Sequence, residues 1–309
     1  MDGGLGSGDG HGMTPAEWVS IAATLGVVIA VWWPVRMVIA QRVELAFERA
    51  HPRDRDGIII GTESIHLRGV RAGAILLLHG YNDSPQAVAP LAQALHDAGW
   101  TVYAPVLPGH GRTLQAFASS GADAWVRGAR DAYGRLREQH DDIAVVGMSM
   151  GGALAFLVAI EHPDIRAVVG IAPYLHLSRA MGALLMLTPI AAIGARYLSG
   201  GGGRSIHDPK AAATIIAYQT STPRLLRELA RVTRVAYDCL PAVRQPVLVV
   251  QSKDDNRIPA NSAARAFDRL GSADKTMDWV RGTGHVLTLD YGHEAMERRI
   301  VEWLSQRLV

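Results

Sequence analysis

The sequence predicts an α/β protein with a mostly parallel sheet flanked by helices. Short apolar runs alternate along the chain with amphipathic helical patterns, the order that produces parallel strands joined by helices. Several of these runs, such as Ala74–Leu78, are continuously apolar, as expected of strands covered on both faces. The alternation stops over residues 174–240, where there are helical patterns but no convincing strand. We therefore expect a helical insertion within one α/β domain.

The N-terminal forty residues differ in composition from the rest of the chain. Residues 1–15 are rich in glycine and are expected to form a disordered tail. The segment from Trp18 to Val35 holds eighteen residues without a charge, long enough for a helix to cross a bilayer. Tryptophans at both of its ends suit the two membrane interfaces. We predict a membrane-anchor helix over residues 16–40, followed by a charged linker helix over residues 41–56.

The apolar segment has two other interpretations. A cleaved signal peptide would carry basic residues before the apolar run, whereas this chain has Asp2, Asp9 and Glu17 there. A buried helix of the soluble domain is opposed by Pro34 and by the wholly apolar circumference. Arginines follow the segment and none precedes it, so the positive-inside rule predicts a membrane-associated protein with its main domain on the cytoplasmic side.

The remaining elements follow in a regular order. Residues 58–60 and 64–67 predict a first hairpin. Further strands are predicted over residues 74–78, 101–104, 143–146, 167–171, 247–251 and 275–280. Helices are predicted over residues 85–98, 122–139, 151–162, 262–270 and 294–307. The core then comprises residues 57–173 and 241–309, and residues 174–240 form a helical insertion between its two parts.

One pentapeptide carries a candidate nucleophile. Residues 147–151 read Gly-Met-Ser-Met-Gly, which matches G-x-S-x-G. A buried strand leads into it and a helix leads out, the setting in which a serine sits on a sharp turn with its hydroxyl exposed. The flanking glycines suit such a turn because side chains there would collide with neighbouring backbone. We predict Ser149 as the nucleophile.

A serine nucleophile needs a base and an orienting carboxylate, which in this kind of protein follow it in the order acid, then histidine. His285 lies in a glycine-rich loop after the last strand and is the predicted base. The acid lies just past the strand at 247–251, where Asp254 and Asp255 compete. Asp255 stands four positions before Pro259, the usual place of the acid in this turn, and is preferred; Asp254 would be a solvated or turn-capping carboxylate.

The oxyanion that forms when the serine attacks a carbonyl needs two N–H donors. One should be the backbone N–H of Met150, the residue after the nucleophile. The other should be the N–H of Tyr81, in the loop after the strand at 74–78. His79, at the end of that strand, is expected to support the loop.

Several segments together resemble the bacterial carboxylesterases and monoacylglycerol lipases of the α/β-hydrolase superfamily. They are residues 76–81, 104–111, 147–152, 249–259 and 284–290, and they occur in family order. The resemblance implies that the insertion over residues 174–240 is a small helical cap between the sixth and seventh strands. It also implies the triad Ser149, Asp255 and His285, and oxyanion donors at Tyr81 and Met150. The N-terminal apolar segment is not part of the family pattern. The candidate substrate-contacting residues are His79, Met148, Leu184, Leu187 and Val286.

The cap stretch over residues 181–190 is unusually apolar, and it has two interpretations. It could form an acyl-binding wall or a membrane-facing lid. Alternatively, it could be a cap helix packed on the main domain, since leucine and methionine at helical spacing usually belong to a core.

Composition excludes several other classes. The chain has 31 basic and 29 acidic residues without a basic stripe, which argues against nucleic-acid binding. Cys239 is the only cysteine, so neither an intrachain disulfide nor a thiolate metal cluster can form. We expect no metal and no organic cofactor.

The predicted function is hydrolysis of a small or lipid-like carboxylic ester through an acyl-enzyme on Ser149. Acyl transfer and thioester hydrolysis would use the same triad. A non-catalytic, membrane-tethered ligand-binding protein is the alternative from another class, but it would typically have lost one of the three triad residues.

Overall fold

A computed structural model describes residues 13–199 and 205–309. Its helices are α1 (Pro15–Ala50), α2 (Ala89–Asp97), α3 (Leu114–Ser119), α4 (Ala122–Arg137), α5 (Met150–Glu161), α6 (Arg179–Gly194), α7 (Pro209–Thr214), α8 (Pro223–Cys239), α9 (Ala260–Arg269) and α10 (His293–Ser305). Its strands are β1 (Ile65–Leu67), β2 (Ala74–Leu78), β3 (Thr101–Ala104), β4 (Ile143–Met148), β5 (Ala167–Ile171), β6 (Leu198–Ser199), β7 (Thr220–Ser221), β8 (Val247–Ser252) and β9 (Lys275–Val280). Short 3-10 turns occupy Pro85–Val88 and Leu240–Ala242.

The main sheet has seven strands in the order β1-β3-β2-β4-β5-β8-β9. Only β1 runs antiparallel to its neighbour; the other adjacent pairs are parallel. The central strands β2, β4, β5 and β8 are buried along their whole length because helices cover both faces. The predicted α/β fold is confirmed. Since parallel strands end at the same edge, the loops after β2, β4 and β8 converge there.

The predicted first hairpin is wrong. Residues 64–67 contribute β1, which pairs with β3 and not with residues 58–60. Ile59 makes only an isolated bridge with Arg53. The Ile59 side chain is buried while Ile60 is exposed, so the run at 58–60 contributes one core side chain and no strand ladder. The strand before the cap is therefore the fifth of the sheet, and the cap lies between the fifth and sixth sheet strands.

Helix α1 is one continuous helix where two were predicted. It begins with a capping box between Thr14 and Glu17 and continues through Pro34. The 18-residue apolar window within it is exposed, and among the described residues α1 alone is long and apolar enough to cross a membrane. Towards its C-terminal end, Ala40 is buried, and Val43 and Phe47 pack against the core. Most of the predicted disordered tail lies outside the described residues.

The cap contains α6, α7 and α8, as the helical patterns predict. It also contains a two-stranded antiparallel sheet, in which Leu198 pairs with Ser221 and Ser199 with Thr220. The sequence analysis missed this sheet because its strands are only two residues long and pair across a loop. The glycine run at 200–203 lies outside the described residues.

Candidate active site

Ser149 sits on the turn between β4 and α5 in a strained conformation. Its φ of 54° and ψ of −117° lie in a region that residues with a side chain rarely adopt. Glycines make the turn possible: a Cβ on Gly147 would lie 2.2 Å from the Gly151 carbonyl oxygen, and one on Gly151 would lie 2.2 Å from the Leu78 carbonyl oxygen. The Ser149 N–H donates to Ile171, which fixes the turn against β5.

The structure brings together the three residues predicted as the triad. His285 Nε2 lies 2.9 Å from Ser149 Oγ, and His285 Nδ1 lies 2.8 Å from Asp255 Oδ2. Both distances are those of good hydrogen bonds. The Asp255 side chain is fully buried, and Ser149 and His285 keep only a small exposed area. The serine hydroxyl can therefore pass its proton to an imidazole that a buried carboxylate holds in place.

Asp255 is held from several sides. Its Oδ1 accepts the backbone N–H groups of Arg257 and Ile258, and its Oδ2 accepts Gln251 Nε2 as well as His285. Burial alone would raise the pKa of Asp255, but the charge and hydrogen bond of His285 and the two backbone donors outweigh it and hold the pKa below its usual value. The carboxylate is thus kept ionised.

Asp254, the competing acid, lies apart from this chain of hydrogen bonds. It is exposed, and its Oδ2 accepts the N–H of Gly282. The turn therefore directs Asp255 to the histidine and Asp254 to the loop that precedes it.

The loop that carries His285 is anchored by Asp290. This fully buried carboxylate accepts the backbone N–H groups of Gly284, His207, Asp208 and Tyr291 at 2.6 to 2.9 Å. Burial raises the pKa of Asp290, but these four donors outweigh that effect and lower it overall. Because His207 and Asp208 belong to the cap, Asp290 ties the cap to the histidine loop. Sequence reasoning gave Asp290 no role.

The loop after β2 brings Tyr81 to the site. Among the turn and loop hydrogen bonds of the described residues, neither the Tyr81 N–H nor the Met150 N–H has an acceptor. Met150 is the first residue of α5, where backbone N–H groups lack partners within the helix. His110 Nε2 contacts the Tyr81 carbonyl oxygen, and the Tyr81 hydroxyl lies 2.6 Å from Ser221 Oγ. Tyr81 is therefore held from both its backbone and its ring.

His79 and His110 brace this loop as neutral imidazoles. His79 Nε2 accepts the N–H of Leu107 at 3.1 Å, so its proton resides on Nδ1 and is donated to the Gly80 carbonyl oxygen at 2.9 Å. Burial, and then the nearby His110, lowers the pKa of His79 well below its ordinary value. Burial likewise lowers the pKa of His110 to about 4.

A cavity of about 260 Å³ lies over the serine. Its walls come from both the core and the cap: Tyr81, Asn82, Asp83, Ser149, Tyr174, Met181, Ser205, Ile206, Ala212, Ile215, Ala217, Tyr218, Gln219, Ser221, Leu226, Leu229, Arg257, His285 and Val286. The lining is mainly apolar and contains a few polar groups, which is typical of small-molecule sites.

Of the five predicted substrate contacts, Val286 lines the cavity and the other four do not. His79 and Met148 are fully buried behind it, where Met148 Sδ receives a contact from Thr288 Oγ1. Leu184 and Leu187 point to solvent from α6. The pattern of leucines located the helix correctly but did not reveal which of its faces turns inward.

Asp83 is a cavity residue that sequence reasoning missed. Asp83 is half-buried. Its carboxylate packs against Gly80, since a Cβ added to Gly80 would lie 2.6 Å from Asp83 Oδ2. Burial raises the pKa of Asp83 to about 6, although the charge of His285 opposes this. The available signal was its position in the same loop as Tyr81, three residues after Gly80. No group of three or more His, Cys, Asp or Glu side chains that could hold a metal occurs among the residues the structure describes.

A seven-stranded α/β sheet with a serine at a strained strand-to-helix turn and a histidine and acid at later strand ends defines the α/β-hydrolase superfamily. Within it, the chain belongs to the family described as serine aminopeptidase, S33, whose model matches residues 70–291.

Proteins similar to this chain include lipases and esterases. A thermostable monoacylglycerol lipase of Bacillus sp. (strain H-257) is 29% identical over 258 residues, covering 81% of this chain and 96% of the relative. A carboxylesterase of Bacillus subtilis (strain 168) is 25% identical over 234 residues, covering 75% and 92%. A solved structure from work on LipS and LipT, two metagenome-derived lipolytic enzymes, has a TM-score of 0.74 and 29% identity, and covers 81% of this chain and all of that one.

Proposed function

We propose that this protein is a serine hydrolase that cleaves carboxylic esters. The observation that carries the proposal is the continuous line of hydrogen bonds from Ser149 Oγ through His285 to Asp255 Oδ2, with distances of 2.9 and 2.8 Å. A serine in this setting becomes nucleophilic because the imidazole accepts its proton as attack begins.

The proposed reaction has two halves. Ser149 Oγ attacks the acyl carbon while its proton moves to His285 Nε2, and the resulting oxyanion is held by the N–H groups of Tyr81 and Met150. The ester C–O bond then breaks, and His285 returns the proton to the departing alcohol. Water attacks the acyl-enzyme through the same base and releases the carboxylic acid. Asp255 remains ionised and stabilises the imidazolium throughout.

We propose a lipid-like ester as the substrate. Relatives named as a monoacylglycerol lipase and a carboxylesterase support an ester with an acyl chain. The cavity supports it too, since Ile206, Ile215, Leu226 and Leu229 supply apolar walls on the side of the cap.

The proposal is tested with a fluorophosphonate probe on the full chain in detergent. We expect wild type to be labelled, with the adduct mapped by mass spectrometry to Ser149, and Ser149→Ala to remain unlabelled. Ser305→Ala, a serine change on α10 far from the cavity, should label normally. Labelling that persists in Ser149→Ala would refute the mechanism. A series of acyl esters beside an aminoacyl anilide then separates esterase from aminopeptidase activity.

We further propose that the N-terminal half of α1 anchors the protein in a membrane, with the catalytic domain on the cytoplasmic side. The exposed apolar window supports the anchor, because such a surface would otherwise face water. The arginines after the window support the orientation. If the anchor forms, alkaline carbonate should leave the protein in the membrane pellet and mass spectrometry should find residue 1–35 peptides; a soluble protein lacking them would point to a cleaved signal peptide.

A further inference from the structure

The cap helix α6 exposes a continuous apolar face. Met186 is 81% exposed, and Ile190 and Ile193 are each 69% exposed. Leu184 and Leu187 are also exposed, while Leu185 and Thr188 on the opposite side are buried. No charged residue occurs between Arg179 and Arg196. We call the five exposed side chains, Leu184, Met186, Leu187, Ile190 and Ile193, the α6 apolar face.

Exposed apolar surface is concentrated on just two helices. Among the described residues, the large exposed apolar side chains outside α1 and α6 are single and scattered: Met13, Ile60, Val70, Val235, Tyr291 and Val309. Scattered residues of this kind are normal on a soluble surface, whereas a contiguous patch marks an interaction site. The exposed apolar surfaces of α1 and α6 therefore indicate interaction sites.

The two helices also touch each other. Trp32 Nε1 of α1 donates to the Ile193 carbonyl oxygen at the end of α6, at 3.3 Å. Further along α1, Glu44 contacts Arg196, and it accepts a hydrogen bond from the Tyr197 hydroxyl. The cap is thus held against α1 on both sides of the point where the uncharged segment ends.

This contact sets the depth of α6. Tryptophans collect at the level of the lipid headgroups, so Trp32 and Trp33 mark where α1 leaves the bilayer. Arg36 follows and stacks over Trp33, with its guanidinium carbon 5.1 Å from the ring. Since the Ile193 carbonyl oxygen contacts Trp32, the end of α6 lies at this same level, where exposed apolar side chains of a helix can be buried in the headgroup and acyl boundary.

We propose that the α6 apolar face docks into the bilayer leaflet that α1 leaves at Trp32 and Trp33, so that the cavity receives its substrate from the lipid phase. The link to the cavity is Met181, in the first turn of α6, which lines the cavity over Ser149. This proposal rests on the proposed α1 anchor for its geometry and on the proposed ester hydrolysis for its consequence, but the docking itself is measured independently of activity.

The first experiment measures depth in the membrane with the full chain. In a Cys239→Ser background, Ile190→Cys is labelled with an environment-sensitive fluorophore and reconstituted into phosphatidylcholine vesicles containing acyl-chain nitroxide lipids. Val28→Cys on α1 is the reference for a label inside the bilayer. Val70→Cys, which is 96% exposed and remote from both helices, is the reference for a label in water. We expect quenching at positions 190 and 28 but not at 70. An unquenched label at 190 overturns the docking, whatever position 28 shows.

The second experiment measures the functional consequence. Met186→Glu/Ile190→Glu should slow hydrolysis of a long-chain monoacyl ester in vesicles at least about tenfold, because burial of one such apolar side chain is worth that much in affinity. Hydrolysis of a water-soluble acetate ester should be unchanged. The matched control is Val235→Glu, which places the same charge on an exposed apolar site of the cap helix α8. Equal losses on both esters, or no loss on vesicles, would overturn the proposal.

The outcomes separate this inference from the proposed function. If probe labelling of Ser149 fails while the label at position 190 is quenched, the docking stands and the hydrolase proposal falls. If Ser149 is labelled while position 190 remains unquenched, the hydrolase proposal stands and the docking falls.

Discussion

Replacing Asp290 with asparagine should loosen the histidine loop more than any exposed change nearby. Asparagine fills the same space but offers one acceptor oxygen in place of two, and its NH₂ group faces donors. The Oδ2 of Asp290 accepts the N–H groups of Gly284 and His207, and its Oδ1 accepts those of Asp208 and Tyr291. Whichever way the amide turns, two backbone donors lose their acceptor in a fully buried position.

Hydrogen bonds to a charged group are each worth about 1.5–3 kcal/mol, so Asp290→Asn should lower the free energy of unfolding by about 3–6 kcal/mol. The pKa gives the sign of the pH effect. Because the native state lowers the pKa of Asp290 below the unfolded value, its stabilisation is complete above the unfolded value and is lost as pH falls through the native one. The difference between wild type and variant should therefore shrink on acidification.

The measurement is guanidinium unfolding of the full chain in detergent at neutral and acid pH, beside the rate of fluorophosphonate labelling at 25 °C. Labelling should slow in the folded variant because Gly284 immediately precedes His285. Asp254→Asn is the matched control, since that exposed carboxylate accepts a single backbone N–H from the same loop. If the two variants differ by less than about 1 kcal/mol, the anchoring role of Asp290 is wrong.

Two further changes probe the acids near the serine. Asp255→Asn should lower kcat for an ester about 10⁴-fold, as loss of the acid does in a well-studied triad, while Asp254→Asn should change it little; equal losses would mean that Asp255 is not the orienting acid. Asp83→Asn should stabilise the protein above pH 6, because wild type must there ionise a carboxyl whose native pKa is about 6 and whose ordinary value is 3.8. The gain should appear between pH 4 and 6 and reach at most about 3 kcal/mol, and a pH-independent difference in unfolding free energy would contradict it.

The comparison of sequence with structure shows which features are local. Strands at residues 74–78, 101–104 and 167–171 could be predicted to the residue because each is a short apolar or β-branched run between turns. Ser149, Asp255 and His285 could be placed because each follows a strand and parallel strands end together. The distances between their hydrogen-bonding atoms could be obtained only from the structure.

The features that were missed depend on partners distant in the chain. Residues 58–60 have strand composition, but no neighbouring strand pairs with them beyond one bridge. Leu184 and Leu187 lie on a helix whose apolar pattern does not distinguish inside from outside. Asp83 and Asp290 gain their roles only when loops after different strands meet, which no local pattern records.

The C-terminal end of α1 packs against the α/β core. The Phe47 ring stacks on Tyr218 with centroids 5.1 Å apart, and Tyr218 stacks on Phe117 at 4.2 Å. The Tyr218 N–H donates to the Asn82 carbonyl oxygen at 2.8 Å, next to the proposed oxyanion donor Tyr81. Helix α1 therefore packs on Tyr218, which in turn holds the loop next to the site.

Phe47→Ala should test this packing. Phe47 is half-buried, so the loss should be about 2 kcal/mol, below the 3–5 kcal/mol of a fully buried phenylalanine. Leu45→Ala, an exposed position on the same helix, is the control and should leave the unfolding free energy nearly unchanged. By the same reasoning, removing residues 1–39 should spare the core, whereas removing residues 1–51 should destabilise it at least as much as Phe47→Ala. Equal stability of the two truncated chains would show that α1 contributes only an anchor.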